Sequence, residues 1–202
     1  MGETPQHRDN LAHLIEMLRL WYRGQEQVYV SGNMFLYYVP GNRRKHVSPD
    51  VFVVKGIPRL PERRRYLLWQ EGKGPDIVIE LTSPSTRRED LEEKWALYQD
   101  VLKVKEYFLF DPLAKYLQPP LQGYRLRKGK YGRIRPVQGR VPSLVLGLHL
   151  ERNGDQLRLY DPATGKWLPT PAEVEEARQQ AEAEVERLRR EIEELRRRLP
   201  PN

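Results

Sequence analysis

Apolar residues recur along the chain with three different spacings, and each spacing predicts a different kind of element. From Asp9 to Tyr22, the residues Leu11, Leu14, Ile15, Leu18 and Trp21 or Tyr22 fall on one face of a helix. Short β-type runs follow. Val28–Val30 and Met34–Val39 flank the turn Ser31-Gly32-Asn33, and Val51–Val54 comes after the turn Pro40-Gly41-Asn42 and a basic loop. Beyond a polar loop, Tyr66–Trp69 predicts a short strand or helical turn, and Ile77–Thr82 a buried strand. Thr86-Arg87-Arg88-Glu89 has the spacing of a capping box and starts a helix that should reach about Val101. Glu106–Phe110 reads as a strand closed by Asp111-Pro112. Shorter strands are expected at Tyr124–Arg127, Ile134–Val137, Val145–Leu150 and Leu157–Tyr160, with Asn153-Gly154 as a hairpin signal between the last two.

The third spacing belongs to the end of the chain. Ala181, Val185, Leu188, Ile192, Leu195 and Leu199 alternate steps of four and three, a heptad seam that continues backwards through Arg178 to Val174. Glu186–Arg190, Glu193–Arg197 and Glu194–Arg198 add ion pairs one helical turn apart. So narrow a seam predicts a coiled coil and a homo-oligomer built through it; the competing reading is one charged helix lying on its own domain. The expected division is a globular α/β domain over 1–170 and a coiled-coil helix over 171–202.

Charge sharpens this division. The tail from Pro171 carries seven arginines and nine glutamates, net −2, so the +7 of the whole chain leaves +9 on the first 170 residues. Arg43-Arg44-Lys45, Arg63-Arg64-Arg65 and Arg87-Arg88 suit a polyanionic partner, although any single cluster also reads as solvated surface. The absence of cysteine excludes thiolate metal sites and thiol nucleophiles, and His7, His13, His46 and His149 lack zinc-site spacing. No apolar run approaches the roughly 20 residues of a membrane span, and the N-terminus has no signal-peptide core, so a cytoplasmic protein without a membrane partner is expected.

Two charges break the apolar pattern. Glu80 lies inside Ile77-Val78-Ile79-Glu80-Leu81, where a carboxylate costs several kcal/mol unless compensated. Lys94 falls on the helix stripe Leu91, Lys94, Trp95, Tyr98. Both lie about 12 Å from the intervening turn, one along a strand and one along a helix, so a helix folded back on its strand brings them level. Asp50, at the mouth of Val51–Val54, converges on Glu80 if the two strands are neighbours. Two such acids suit Mg²⁺ or Mn²⁺, and with a lysine they form the parts for metal-assisted phosphodiester hydrolysis. A turn aspartate beside a structural Glu80–Lys94 ion pair explains the same residues. Asp76 is a weaker candidate on the same strand face.

The segments SPDVFVV, GPDIVIELTSPST, DLEEKWALY and EYFLFDP, in that order between about Asn10 and Asp161, resemble the Uma-two family of putative endonucleases. That family belongs to the PD-(D/E)XK restriction-endonuclease-like superfamily. The resemblance implies an αβββαβ core, here with additional C-terminal β-hairpins and the terminal helix. It matches Asp50 to the motif aspartate and Glu80 to the (D/E) position. Thr82 stands where the superfamily has its lysine, and Lys94, from the following helix, matches that role. The implied activity is Mg²⁺- or Mn²⁺-dependent cleavage of DNA, with Asp50 and Glu80 holding the metal, Lys94 catalytic, and Arg43, Arg44, Lys45, Arg87 and Arg88 meeting the nucleic acid. The alternatives are a catalytically inactive nucleic-acid-binding module and a coiled-coil scaffold protein on a nuclease-like fold.

Overall fold

A computed structural model describes residues 5–83 and 88–198. Helix α1 (Pro5–Trp21) leads into β1 (Val28–Ser31), β2 (Leu36–Tyr37), β3 (His46–Val47), β4 (Val51–Lys55) and β5 (Tyr66–Leu67). The short helix α2 (Leu68–Glu71) precedes β6 (Ile77–Leu81), and a helix over 89–101 (α3) links it to β7 (Glu106–Phe110). Strands β8 (Leu121–Arg127), β9 (Lys130–Arg133), β10 (Val141–Ser143), β11 (Leu148–Asn153), β12 (Gln156–Asp161) and β13 (Lys166–Trp167) follow, then helix α4 (Pro171–Arg198). The chain divides into two compact units, Met1–Leu168 and Pro169–Asn202.

The first unit is built on a six-stranded sheet in the order β1-β4-β6-β7-β8-β9, in which only β6 and β7 run parallel. A parallel pair needs a crossover, and α3 supplies it. The segments α1, β1, β4, β6, α3 and β7 therefore form the expected αβββαβ core. Alternation along the strands sorts the side chains onto two faces. Val51, Val53, Ile77, Ile79, Phe108 and Phe110 pack with Leu14, Met17 and Leu18 of α1 and with Leu148, Leu150, Leu157 and Leu159 of the β10-β11-β12-β13 sheet. Phe52, Val54, Val78, Tyr107 and Leu109 pack on the other face with Tyr98 of α3 and with a small β3-β2-β5 sheet. Asn10, buried in α1, ties the first face together. Its amide donates to the Asp155 carbonyl and accepts from the Leu157 N–H, both at 2.9 Å.

Several sequence expectations shift. Ser31-Gly32-Asn33 is not a hairpin turn, because β1 pairs with β4 whereas β2 pairs with β3 and β5. Residues 134–137 are not a strand. The strand is Lys130–Arg133, turned back on β8 by Lys128 and Gly129, which both take positive φ as a two-residue hairpin requires. The strand expected from Val145 begins only at Leu148, after a turn through Gly147. The Asn153-Gly154 hairpin forms, with Asn153 opposite Gln156. The Thr86 end of the expected capping box, Arg87 and Leu199 lie outside the described residues.

The second unit is α4, 28 residues, about 42 Å at 1.5 Å per residue. Its start is a capping box the pattern reading missed. The Thr170 N–H donates to Glu173 at 2.7 Å, and the Glu173 N–H donates back to the Thr170 hydroxyl at 3.2 Å. The seam residues Val174, Val185, Leu188, Ile192 and Leu195 are all exposed. Among the described residues no helix is long and apolar enough to cross a membrane.

Candidate functional site

Asp50 directly precedes β4 and is fixed through its backbone. Gly32 passes so close that a Cβ there would lie 1.9 Å from the Asp50 carbonyl oxygen, which explains the glycine. The Asn33 N–H donates to the carbonyls of Pro49 at 2.9 Å and Asp50 at 3.2 Å. The Asp50 carboxylate accepts the Leu81 N–H at 2.7 Å, and the Asp50 N–H donates to Glu80 Oε2 at 3.2 Å. These reciprocal bonds lock the ends of β4 and β6 together. Asp50 Oδ1 faces His7 Nε2 at 3.5 Å, from the first turn of α1.

Glu80 lies on the α3 face of the sheet, fully buried. Its Oε1 accepts the Tyr98 hydroxyl at 2.7 Å, and its Oε2 accepts Lys94 Nζ at 3.0 Å. The same ammonium lies 3.0 Å from Asp90 and 4.0 Å from Glu89. Helix α3 is unusual: wide π-type turns over Glu89–Glu93 and Leu97–Val101 flank a short α segment, Lys94–Ala96. Such turns frequently mark functional sites. The Tyr107 hydroxyl pins the first wide turn by donating to the Asp90 carbonyl at 3.0 Å.

The electrostatics are unbalanced. Burial raises the Glu80 pKa well above the carboxylate range; Lys94 and the Tyr98 hydroxyl oppose the rise, and Asp50 and Asp90 add to it. Burial works against charge on Lys94, but Glu80, Asp90 and Asp50 outweigh it and hold the lysine protonated. Burial and the nearby Glu80 push up the pKa of Tyr98 and of Tyr107. Glu80, Asp90 and Asp50, with the more exposed Glu89 at 4.0 Å, thus face one ammonium, and either a proton or an added cation relieves the excess negative charge.

No three Asp, Glu or His side chains among the described residues come together as a complete metal cage. The donor set present is two carboxylates, Asp50 with one oxygen towards His7 and solvent, and Glu80 with three accepted hydrogen bonds out of about four lone-pair positions. That set fits Mg²⁺, which keeps most of its waters and takes one or two carboxylates; it does not fit a many-liganded Ca²⁺ cage.

The structure brings Asp50, Glu80 and Lys94 together and places the other candidates elsewhere. Asp76 is at the opposite end of β6, where its carboxylate binds Lys73 at 2.9 Å, Lys105 at 2.8 Å and the Lys55 N–H at 2.8 Å. Thr82 bonds the Tyr116 hydroxyl. Arg43, Arg44 and Lys45 form an exposed loop between β2 and β3. Arg88, the residue just before α3, is exposed and pairs with Glu92 at 3.1 Å. The roles of Asp90 and Tyr98 are not legible in the apolar pattern, although both lie four residues from Lys94. Nothing in the sequence pointed to His7.

Comparison with known proteins agrees with this architecture. A family model described as Uma2, putative restriction endonuclease, matches residues 1–193. No curated protein matches the chain. Among solved structures, the chain is similar to a putative nuclease belonging to DUF820 from Anabaena variabilis. The two are 15% identical with a TM-score of 0.53, over 75% of this chain and 80% of the other.

Proposed function

Because the chain belongs to the Uma2 family of putative restriction endonucleases, we propose that it is a cytoplasmic, Mg²⁺-dependent endonuclease that hydrolyses DNA phosphodiester bonds. The observation that carries this reading is the meeting of Asp50 and Glu80 at the ends of adjacent strands, with Lys94 Nζ 3.0 Å from Glu80. Asp50 and Glu80 are the residues that would hold the ion. A bound divalent cation supplies a water of lowered pKa and neutralises charge on the scissile phosphate. Lys94, kept charged by its carboxylates, orients the attacking water and stabilises the charge that builds on the phosphate. Asp90 and Tyr98 position Lys94 and Glu80 respectively. The +9 of the globular part draws in the polyanion, with Arg43, Arg44, Lys45, Arg87 and Arg88 as candidate phosphate contacts.

Calorimetric titration of Mn²⁺ and plasmid cleavage in Mg²⁺ test the site. Wild type should bind and cut, Glu80→Gln should do neither, and Lys94→Ala should bind metal without cutting. A wild type that neither binds Mn²⁺ nor cuts refutes the reading. The three hydrogen bonds that already occupy Glu80 favour a second reading, in which Glu80–Lys94 is a strut and the domain binds nucleic acid without cleaving it.

Helix α4 completes the proposal as the means of self-association. Its a positions include Val185 and Ile192 and its d positions Leu188 and Leu195, the arrangement that favours two parallel strands. In that pairing Glu184 meets Arg189 of a second copy and Glu191 meets Arg196, whereas an antiparallel pairing sets Glu184 against Glu191.

A further inference from the structure

The small β3-β2-β5 sheet has one buried face and one open face. Leu36, Val47 and Tyr66 point inward and are buried. Tyr37 sits beside His46 on β3 and Leu67 on β5, so these three share the outer face, joined by Phe35 two residues before Tyr37. Phe35 is 53% exposed and its ring meets the His46 ring edge-on at 4.9 Å; the Tyr37 and His46 rings are 5.4 Å apart. Trp69, 41% exposed, follows in α2. Tyr37, Arg43, Arg65 and Trp69 line an open groove on this unit. Within the run Arg63-Arg64-Arg65, Arg63 is committed to Glu71 at 2.7 Å, while Arg64 and Arg65 are exposed.

Exposed flat rings beside unburied cations suit a ligand that carries both aromatic faces and negative charge. Nucleobases on a phosphate backbone have both, and every base offers such a face. In a paired duplex those faces are already covered by stacking, so only an unpaired stretch can use the rings. The position of the sheet adds to this. β3 ends three residues before Asp50, and β2 begins three residues after Asn33, whose N–H holds the Asp50 carbonyl. Three extended residues span about 10 Å, the length of roughly three stacked nucleotides.

We propose that the outer face of the β3-β2-β5 sheet is a base-stacking platform that holds an unpaired stretch of nucleic acid beside Asp50, with Phe35 and Trp69 as stacking residues and Arg43 and Arg65 as phosphate contacts. Its place next to a scissile bond rests on the nuclease reading; binding itself does not.

The test is therefore made on the full chain in EDTA, where cleavage plays no part. An end-labelled DNA oligonucleotide is titrated as a single strand and as the blunt duplex of the same sequence. Wild type and Glu80→Gln should both bind the single strand more tightly than the duplex. Phe35→Ala and Trp69→Ala should each weaken single-strand binding by roughly 5- to 150-fold while leaving duplex binding unchanged. Phe35→Tyr, which keeps a stacking face, should bind like wild type. Both alanine variants remove exposed rings, and unchanged melting curves check that they fold. Equal binding by the alanine variants and wild type, tighter binding of duplex than single strand, or no binding of either overturns the proposal. Single-strand binding that depends on Phe35 and Trp69, in a protein that does not cut in Mg²⁺, keeps the platform and removes the nuclease reading.

Discussion

Removing the Lys94 ammonium by Lys94→Ala isolates what the lysine does for stability. Its Nζ lies 3.0 Å from Glu80 and 3.0 Å from Asp90, and Glu80 is fully buried. The substitution leaves Glu80 with only the Tyr98 hydroxyl and the Asp50 N–H. Breaking a buried pair in this way costs about 3–5 kcal/mol. The loss should depend on pH. Glu80 has its pKa raised by burial even with Lys94 present, and losing the lysine raises it further. A carboxyl whose folded pKa exceeds its unfolded value contributes stability that is complete below the unfolded value and is lost as pH rises through the folded one. The gap between wild type and Lys94→Ala should therefore stay small below the raised folded pKa of wild-type Glu80 and widen only above it, where the carboxyl ionises beside Lys94 but still holds its proton in the variant. Its limiting slope is about 1.4 kcal/mol per pH unit. Urea unfolding from acid to neutral pH measures the gap. Adding Glu80→Gln to Lys94→Ala removes the buried charge and should recover most of the loss. A pH-independent gap, or a double variant no more stable than Lys94→Ala, would refute the argument that an uncompensated Glu80 carboxylate is the cause.

Gly32→Ala puts a methyl group 1.9 Å from the Asp50 carbonyl; it should cost about 1–3 kcal/mol or more and lower Mn²⁺ affinity, both read by calorimetry. At Asp76, burial raises the carboxyl pKa but the bonds from Lys105, Lys73 and the Lys55 N–H outweigh it, so its stabilisation is present above the ordinary aspartate pKa and disappears as pH falls through the lowered folded value. Asp76→Asn should thus cost about 1.5–3 kcal/mol at neutral pH, with the difference closing in acid, as urea titrations will show. Truncation after Thr170 should leave the melting of the globular unit intact and reduce the mass seen in sedimentation. Because the chain has no cysteine, Leu195→Cys should form a disulfide between copies only if α4 pairs in parallel and in register. Replacing Arg43, Arg44 and Lys45 by Ala should weaken DNA binding and flatten its salt dependence in fluorescence titrations.

The two misplaced charges were the most legible part of the sequence. A glutamate in Ile77-Val78-Ile79-Glu80-Leu81 and a lysine on the Leu91–Tyr98 stripe pointed to each other, and equal path lengths from the turn placed them level. What escaped was set by tertiary approach. His7 reaches Asp50 because α1 crosses the sheet there, and Gly32 is needed because the Asp50 carbonyl passes against it. The small sheet was blurred for a similar reason. Its strands are two residues long and their pairing is decided by Leu36, Val47 and Tyr66 docking on the core, not by an alternation long enough to read. The β8–β9 hairpin lies four residues earlier than the apolar pattern predicts because its turn is Lys128-Gly129, a pair that carries no apolar signal.

The wide turns of α3 impose a constraint of phase. In an α-helix, residues four apart drift by about 40° around the axis, whereas a wider turn rotates them back. The mixed winding from Glu89 to Val101 can thus keep Asp90, Lys94 and Tyr98 in a single row, and all three meet around Glu80. Such a row depends on residue count more than on residue type. Deleting one residue between Asp90 and Lys94 advances the remainder by about 100° and turns the ammonium away from the carboxylate, although every charged residue of the site is still present in the chain.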